Sequence, residues 1–395
     1  MRVAWGEFYV REFYVFSQPY IRVIEMTDFL DFIIDDARWA PSGHNTQPWR
    51  FKKIPPNILD IYVQSEENVL NLGDNETAIL CVGMMLENII LSANHKGKSV
   101  EWTIQDSTDA KKPVIRVKFM DSLDIASSED NRLYQRIRTR SVDRRSYKYK
   151  PLSNEDKKAL EKALGSTLKV DWFESLKERY SMARLAMGAT HIRLSIKETF
   201  SVHQEVVEWQ KKDSADKIPA HSLGLDPLTL MISKFFSKSR KRQEFINKVP
   251  GGLFLYQWET DICPGIACAG YFMLSLSCPI AVGKAEKISQ LLEAGMVVQK
   301  FWLTADLLGL ALSPNHMLLV FSDYIRKEIE FTKDTHELEN AKKLSQRFEA
   351  YIRKKFNLQP EKVLLMGRVG SPRERRGLPR SIRLSAENLL ITEMR

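Results

Sequence analysis

From Met26 the chain reads MTDFLDFIIDDARWAPSG, in which Phe29, Leu30, Ile33, Ile34 and Ala37 share one helical face and Thr27 stands as a cap. Pro41-Ser42-Gly43 ends that helix. Phe51–Ile54 and Leu59–Val63 read as hairpin strands around Pro55-Pro56-Asn57. Ala78–His95 is a long apolar helix with Gly97 as its stop, and Val114–Phe119 alternates as a strand. Asn131–Arg145 reads as a basic helix or the end of one, and Tyr147–Leu152 as extended chain up to Pro151. Ser153 caps a helix over Asn154–Leu164, with Asp156 in its first turn.

The middle, Leu176–Lys248, has a helical period and many charges, interrupted by a loop at Ile218–Pro227. Tyr271–Val282 reads as a buried strand, and Lys287–Gly309 as a helix apolar nearly all round at its centre, hence internal. Met317–Phe321 and Val363–Met366 are further strand candidates, and Glu337–Phe356 an amphipathic surface helix. Strands mixed with longer helices predict an α+β architecture, a central antiparallel or mixed sheet flanked by helices. Gly83–Gly97 (GMMLENIILSANHKG) and Gly295–Gly309 (GMVVQKFWLTADLLG) share a Gly-Met start, an apolar stripe, a late Ala and a closing Gly. Either the chain holds two pseudo-symmetric halves, or two buried helices that end in Gly look alike. The expected division is an arm over 1–25, a first half over 26–130, and a second half over 131–395. The second half carries an insertion at about 176–261 and a basic tail. The aromatic-rich arm is either a strand-like extension or a product of too early a start codon.

The net charge of +9 changes the picture only locally. Much of it sits in Arg132–Lys150 and Arg368–Arg383, which suits a phosphate pocket or a solvated face better than a nucleic-acid track. Cys81, Cys263, Cys268 and Cys278 form no metal-type pairs, and few, unpatterned cysteines fit a reducing cytoplasm. The longest apolar stretch, Leu291–Leu310, contains Glu293, Lys300 and Asp306, so no membrane partner is expected.

The segment Ala40–Phe51 (APSGHNTQPWRF) is unusual in its chemistry. Ser42, His44, Asn45, Thr46 and Gln47 put five hydrogen-bonding side chains in six positions between two stiffening prolines, and Trp49 and Phe51 anchor the end. Such a loop suits a polyhydroxylated ligand with a heteroaromatic edge, or is simply a polar turn with one buried Trp. Its Pro-Ser, the Asn three positions on, and Gln-Pro-Trp with Phe two residues later resemble the signature loop of the nitroreductase family. By that resemblance Ser42 and Asn45, with Gln47 as a third, contact flavin mononucleotide (FMN).

Ile137–Ser153 (IRTRSVDRRSYKYKPLS) is similar to the family's phosphate-binding Arg-Ser-Val-Arg stretch. It offers Arg140 and Arg144, with Arg138 and Arg145 as substitutes, although Asp143 is an extra residue and the stretch follows the loop instead of preceding it. That order resembles the longer, duplicated Acg-type relatives. Guanidinium forks suit phosphate in their own right. Val363–Pro372 followed by Arg375, Arg376 and Arg380 resembles the family's C-terminal strand and basic end, which implies Arg375 and Arg376, or Arg368, at the phosphate.

The resemblance implies a nitroreductase-like fold and an NAD(P)H oxidoreductase. Hydride would pass from NADH or NADPH through FMN to a nitro compound, quinone or similar small acceptor, in a homodimer or a pseudo-dimeric monomer. The alternative is a protein that sequesters FMN with little turnover. No metal or nucleic acid is expected.

Overall fold

The computed structural model describes residues 29–64, 75–122, 126–373 and 380–391. Thr27, the arm over 1–25, and Arg375 and Arg376 lie outside the described residues. Helix α1 (Phe29–Ala37) buries Leu30, Ile33, Ile34 and Ala37, as its period requires. Strands β1 (Trp49–Ile54) and β2 (Ile58–Val63) form the hairpin, pairing Trp49 with Val63 and Ile54 with Ile58. Helix α2 (Glu76–His95) follows and stops at Gly97, whose φ of +70° few other residues adopt. Strands β3 (Lys98–Asp106) and β4 (Val114–Asp121) complete an antiparallel sheet in the order β1-β2-β4-β3. The edge strand β3 was not anticipated.

Helix α3 (Ser128–Tyr134), capped by Ser127 Oγ, is short. The basic helix expected over Asn131–Arg145 therefore ends at Tyr134. A continuous helix would stack Arg132, Arg136, Arg140 and Arg144 at four-residue spacing, like charges along one face. The chain instead turns through Arg136–Arg140 and crosses to the second half. There α4 (Asn154–Leu164) starts with a complete capping box between Ser153 and Asp156, and leads to the unanticipated strand β5 (Leu168–Phe173).

A long insertion separates β5 from its partner strand. It comprises α5 (Leu176–Ser195), α6 (Lys197–Val206), the two-residue strands β6 (Val207–Glu208) and β7 (Ile218–Pro219), then α7 (Pro227–Phe236), α8 (Arg240–Lys248), α9 (Phe254–Gln257) and α10 (Cys263–Ile266). Strand β8 (Gly270–Leu276) is buried at every residue. It ends before the expected Val282 because Pro279, with no N–H, lies in the turn that follows. Helix α11 (Lys284–Leu307), strand β9 (Ala311–Pro314), helices α12 (Met317–Arg326) and α13 (Thr335–Phe356), strand β10 (Val363–Gly370) and α14 (Ala386–Leu389) complete the described chain. The strand expected at Met317–Phe321 is the first half of α12. A five-residue apolar run does not distinguish strand from helix, and the ion pair Arg326–Asp323 closes the helical turn beyond it.

The architecture is α+β with antiparallel sheets, but not around one central sheet: there are two four-stranded sheets, β1-β2-β4-β3 and β5-β8-β10-β9. Counted within each sheet, both run first-second-fourth-third, with the long helix (α2 or α11) between second and third strands. The insertion occupies the place of the β1–β2 turn, and α12 and α13 lie between the last two strands of the second set.

The two long helices cross each other at their glycines. A Cβ on Gly83 would lie 2.3 Å from Leu292 O and 2.9 Å from Gly295 Cα. One on Gly295 would lie 2.2 Å from Leu80 O and 2.7 Å from Gly83 Cα. Beyond the crossing, Glu87 pairs with Lys300 at 3.3 Å, and Gln299 donates to Asn88 Oδ1 at 2.8 Å. Residues four and five past each glycine thus meet five and four past the other, the reciprocal pattern of a two-fold contact, here within one chain. Burial pushes the Glu87 carboxyl up, with Lys300 opposing.

Among the described residues, α2 alone is long and apolar enough to cross a membrane, and 83% of its apolar window is buried inside the protein. Its apolarity is that of a core helix. The tail returns to the first half: Ile391 N donates to Phe51 O at 2.8 Å, and Leu389 joins the core around α1 and β1.

The crossing predicts that Gly83→Ala destabilises the protein by at least about 2 kcal/mol, despite alanine's better helix propensity, because the obstructing atoms are backbone on both sides. Urea denaturation measures this. An unchanged or raised midpoint would show that the helices can move apart freely.

Candidate functional site

The loop after α1 forms one turn of 3₁₀ helix over Gly43–Asn45, in which three side-chain-bearing residues take left-handed backbone: His44 (φ 50°), Asn45 (φ 66°) and Gln47 (φ 51°). Each such residue costs on the order of 1 kcal/mol, so the surroundings must hold them. They do. Asn45 Nδ2 donates to Ala215 O at 3.0 Å and Ile382 O at 3.2 Å. Gln47 Nε2 donates to Ala215 O at 2.7 Å and Asn45 O at 3.0 Å, and Gln47 Oε1 accepts from Leu384 N at 3.0 Å. Ser42 Oγ accepts from Gln47 N at 3.1 Å. The amide donors of Asn45 and Gln47 thus fasten the loop to the insertion and to the tail, while Asn45 Oδ1 is buried without a partner.

At the loop's base the cations gather around Trp39. The guanidinium carbons of Arg380, Arg38 and Arg383 lie 4.8, 5.6 and 5.7 Å from the centre of its ring. Arg140 donates to Trp39 O at 3.1 Å and stacks on Trp302 at 4.6 Å. Arg383 donates to Ala40 O at 3.2 Å. Burial pushes Arg383 down to about 9, and the charges of Arg140, Arg380 and Arg38 push the same way. Burial lowers Arg140 to about 10, against the charge of Asp306. Arg140 Nε and Trp39 Nε1 are buried donors without partners. Buried donors under mutual repulsion are chemically suited to a multivalent anion such as phosphate.

A second group lines the interior between the loop and the insertion. His44 is pushed down to about 4 by burial, then by the charges of Arg193 and Arg144. His203, at the end of α6, is pushed to about 3 by burial, Arg193 and His44. Both imidazoles are therefore neutral at pH 7. Arg193 Nε and His203 Nε2 have no hydrogen-bond partner. Asp261, donated to by Thr190 at 3.1 Å and by Thr260 at 3.0 Å, is pushed up to about 6 by burial, with Arg193 opposing. His203 and Tyr256 also border an otherwise largely apolar pocket between α5, α7, α8 and α9, lined by Leu194, Ile232, Phe236 and Ile246.

The arginines of the Ile137–Ser153 stretch separate. Arg140 joins the Trp39 cluster, while Arg144 donates to Ser222 O at 3.3 Å and belongs to the interior group. Arg138 is held by Asp36 at 2.7 Å, and Arg145 by Asp143 at 3.0 Å, so carboxylates already neutralise both substitutes. Arg368 is also committed: it donates to Arg144 O at 2.8 Å and Pro264 O at 3.0 Å, bracing the backbone. Sequence reasoning missed Trp39, Arg193 and Arg383. Their one shared signal is charge or aromaticity, which is common in any chain. Compared with protein-family models and with curated proteins, the sequence finds no match.

Acid should act through the imidazoles. A histidine whose folded value lies below its ordinary 6.5 leaves the unfolded chain holding more protons. The stability it contributes is thus present above 6.5 and lost as pH falls towards the folded value. Asp261, raised, acts in the opposite sense over a higher window than most carboxylates. Replacing His203 by Gln should therefore flatten the loss of unfolding free energy between pH 6.5 and about 4, read by urea denaturation at stepped pH; an equal slope in both proteins would contradict the neutral imidazole.

Proposed function

We propose that the chain is an FMN-dependent NAD(P)H oxidoreductase of the nitroreductase type, with a nitroreductase-like fold in two halves. The observation that carries this reading is the convergence of Arg140, Arg380 and Arg383 on Trp39, at the base of the loop whose residues resemble the family's flavin loop. The phosphate end fits the residues present. A dianion would meet three guanidinium groups that otherwise repel, and the unpartnered Arg140 Nε and Trp39 Nε1 add donors. The loop fits differently from its resemblance. Asn45 and Gln47 hold the loop's strained backbone, and Ser42 and Asn45 Oδ1 remain as polar groups for the ligand.

FMN, if bound there, would supply hydride-transfer chemistry between NADH or NADPH and a nitro compound or quinone. The chain's own residues bind and orient. Arg383 and Arg140 neutralise the phosphate, and Arg144 and Arg193 present positive charge to a substrate edge. His44 and His203, neutral at pH 7, offer hydrogen bonds without adding charge. The insertion, fastened to the loop through Ala215, excludes water from that side.

The purified protein should be yellow or take up added FMN, and colourless protein that takes up none would overturn the reading. Arg383→Gln should weaken FMN binding on the order of tenfold to a hundredfold while leaving riboflavin, which lacks the phosphate, nearly unaffected. Equal losses for both ligands, measured by fluorescence quenching, would remove the phosphate role. Stopped-flow mixing with NADPH and NADH distinguishes a reductase from a sequestering protein, whose flavin stays oxidised.

A further inference from the structure

Helix α7 is a surface helix that is apolar on both sides. Its inner face, Thr229, Ile232, Ser233 and Phe236, lines the cavity beside α8 and α9. Its outer face should be polar, yet it carries Leu228, Met231 and Phe235, exposed by 58, 63 and 50% and spaced three and four residues apart on one stripe. The neighbouring elements expose apolar side chains as well. Phe245 on α8 is 64% exposed, and Phe254 and Leu255 on α9, with Trp258 just beyond it, are also exposed. Arg242 ties the pieces together, its guanidinium 4.3 Å from the centre of the Phe235 ring. Phe254 and Trp258 stack at 5.7 Å.

The charge on this unit is mostly positive, its ends held by Asp226 and Glu259, which accept from the first turn of α7. Between Pro227 and Trp258 stand Lys234, Lys238, Arg240, Lys241, Arg242 and Lys248 against a single carboxylate, Glu244, which Arg240 already pairs at 2.9 Å. Lys234, Lys238, Lys241 and Lys248 are exposed. Projecting leucine, methionine, phenylalanine and tryptophan side chains ringed by lysines are the make-up of a surface that rests in the headgroup layer of an anionic bilayer. A second copy of the chain fits worse, because a two-fold contact would bring both lysine rims together.

We propose that the α7–α9 face docks reversibly on an anionic lipid surface, with Leu228, Met231, Phe235 and Phe245 entering the headgroup boundary and the lysines meeting lipid phosphates. The apolar cavity beneath then opens beside the bilayer.

Flotation of the full chain with vesicles tests this. Vesicles of phosphatidylcholine containing about a third phosphatidylglycerol should bind the protein on the order of tenfold better than pure phosphatidylcholine, with binding falling as salt rises. Met231→Ser with Phe235→Ser should abolish flotation, and Lys238→Glu with Lys241→Glu should remove the lipid preference. All these positions are exposed, and a circular dichroism melt checks that each variant folds. Absence of flotation, equal binding to both vesicle types, or unaltered binding by the serine variant would each overturn the proposal. So would a dimer in sizing chromatography that the serine variant splits, since the face would then serve self-association.

Discussion

The rest of the structure depends on the contact between two backbones at Gly83 and Gly295. With no Cβ on either side, α2 and α11 approach until each helix's glycine meets a carbonyl of the other. Everything that surrounds the candidate site is referred to that crossing. α2 carries the first sheet and α1, α11 carries the second, and both halves are registered by Glu87–Lys300 and Asn88–Gln299. The close approach also buries Asn88 and Gln299, and a looser packing would break the bond between them.

With the halves fixed, the polar loop lies where three distant parts of the chain meet. The crossing segment brings Arg140, the insertion brings Ala215 and Lys217, and the tail brings Ile382, Arg383 and Leu384. Three left-handed residues persist in the loop because these partners hold them. Strain and clustered positive charge therefore sit side by side, with Arg38 paired to Asp35 and Asp306 near Arg140. Arg138, Arg145 and Arg116 are by contrast paired with aspartates, and that difference is what the proposed binding role rests on.

The insertion has two faces with different physics. Inward, it clamps the loop and contributes Arg193 and His203 beside His44. Outward, it exposes an apolar stripe on α7 that no other described residue covers. Both faces belong to an excursion between β5 and β8, where the first half has only a three-residue turn.

Local patterns were enough for much of the fold. The period of Phe29–Ala37, the capping box at Ser153, the hairpin at Pro55-Pro56-Asn57 and the apolar helix ending at Gly97 each act over a few residues, so the sequence determined them by itself. So did the α+β class, and the matching glycines of the two long helices were visible as a repeat. What it did not determine were partners distant in the chain. Nothing local says that Arg138 meets Asp36 while Arg140 meets Trp39, or that the amides of Asn45 and Gln47 bond backbone groups some 170 and 340 residues away. Nor does an apolar run such as Met317–Phe321 declare whether it is strand or helix. Side-chain hydrogen bonds and charge pairs depend on which surfaces the fold brings within reach, and that was decided only when α2 and α11 crossed.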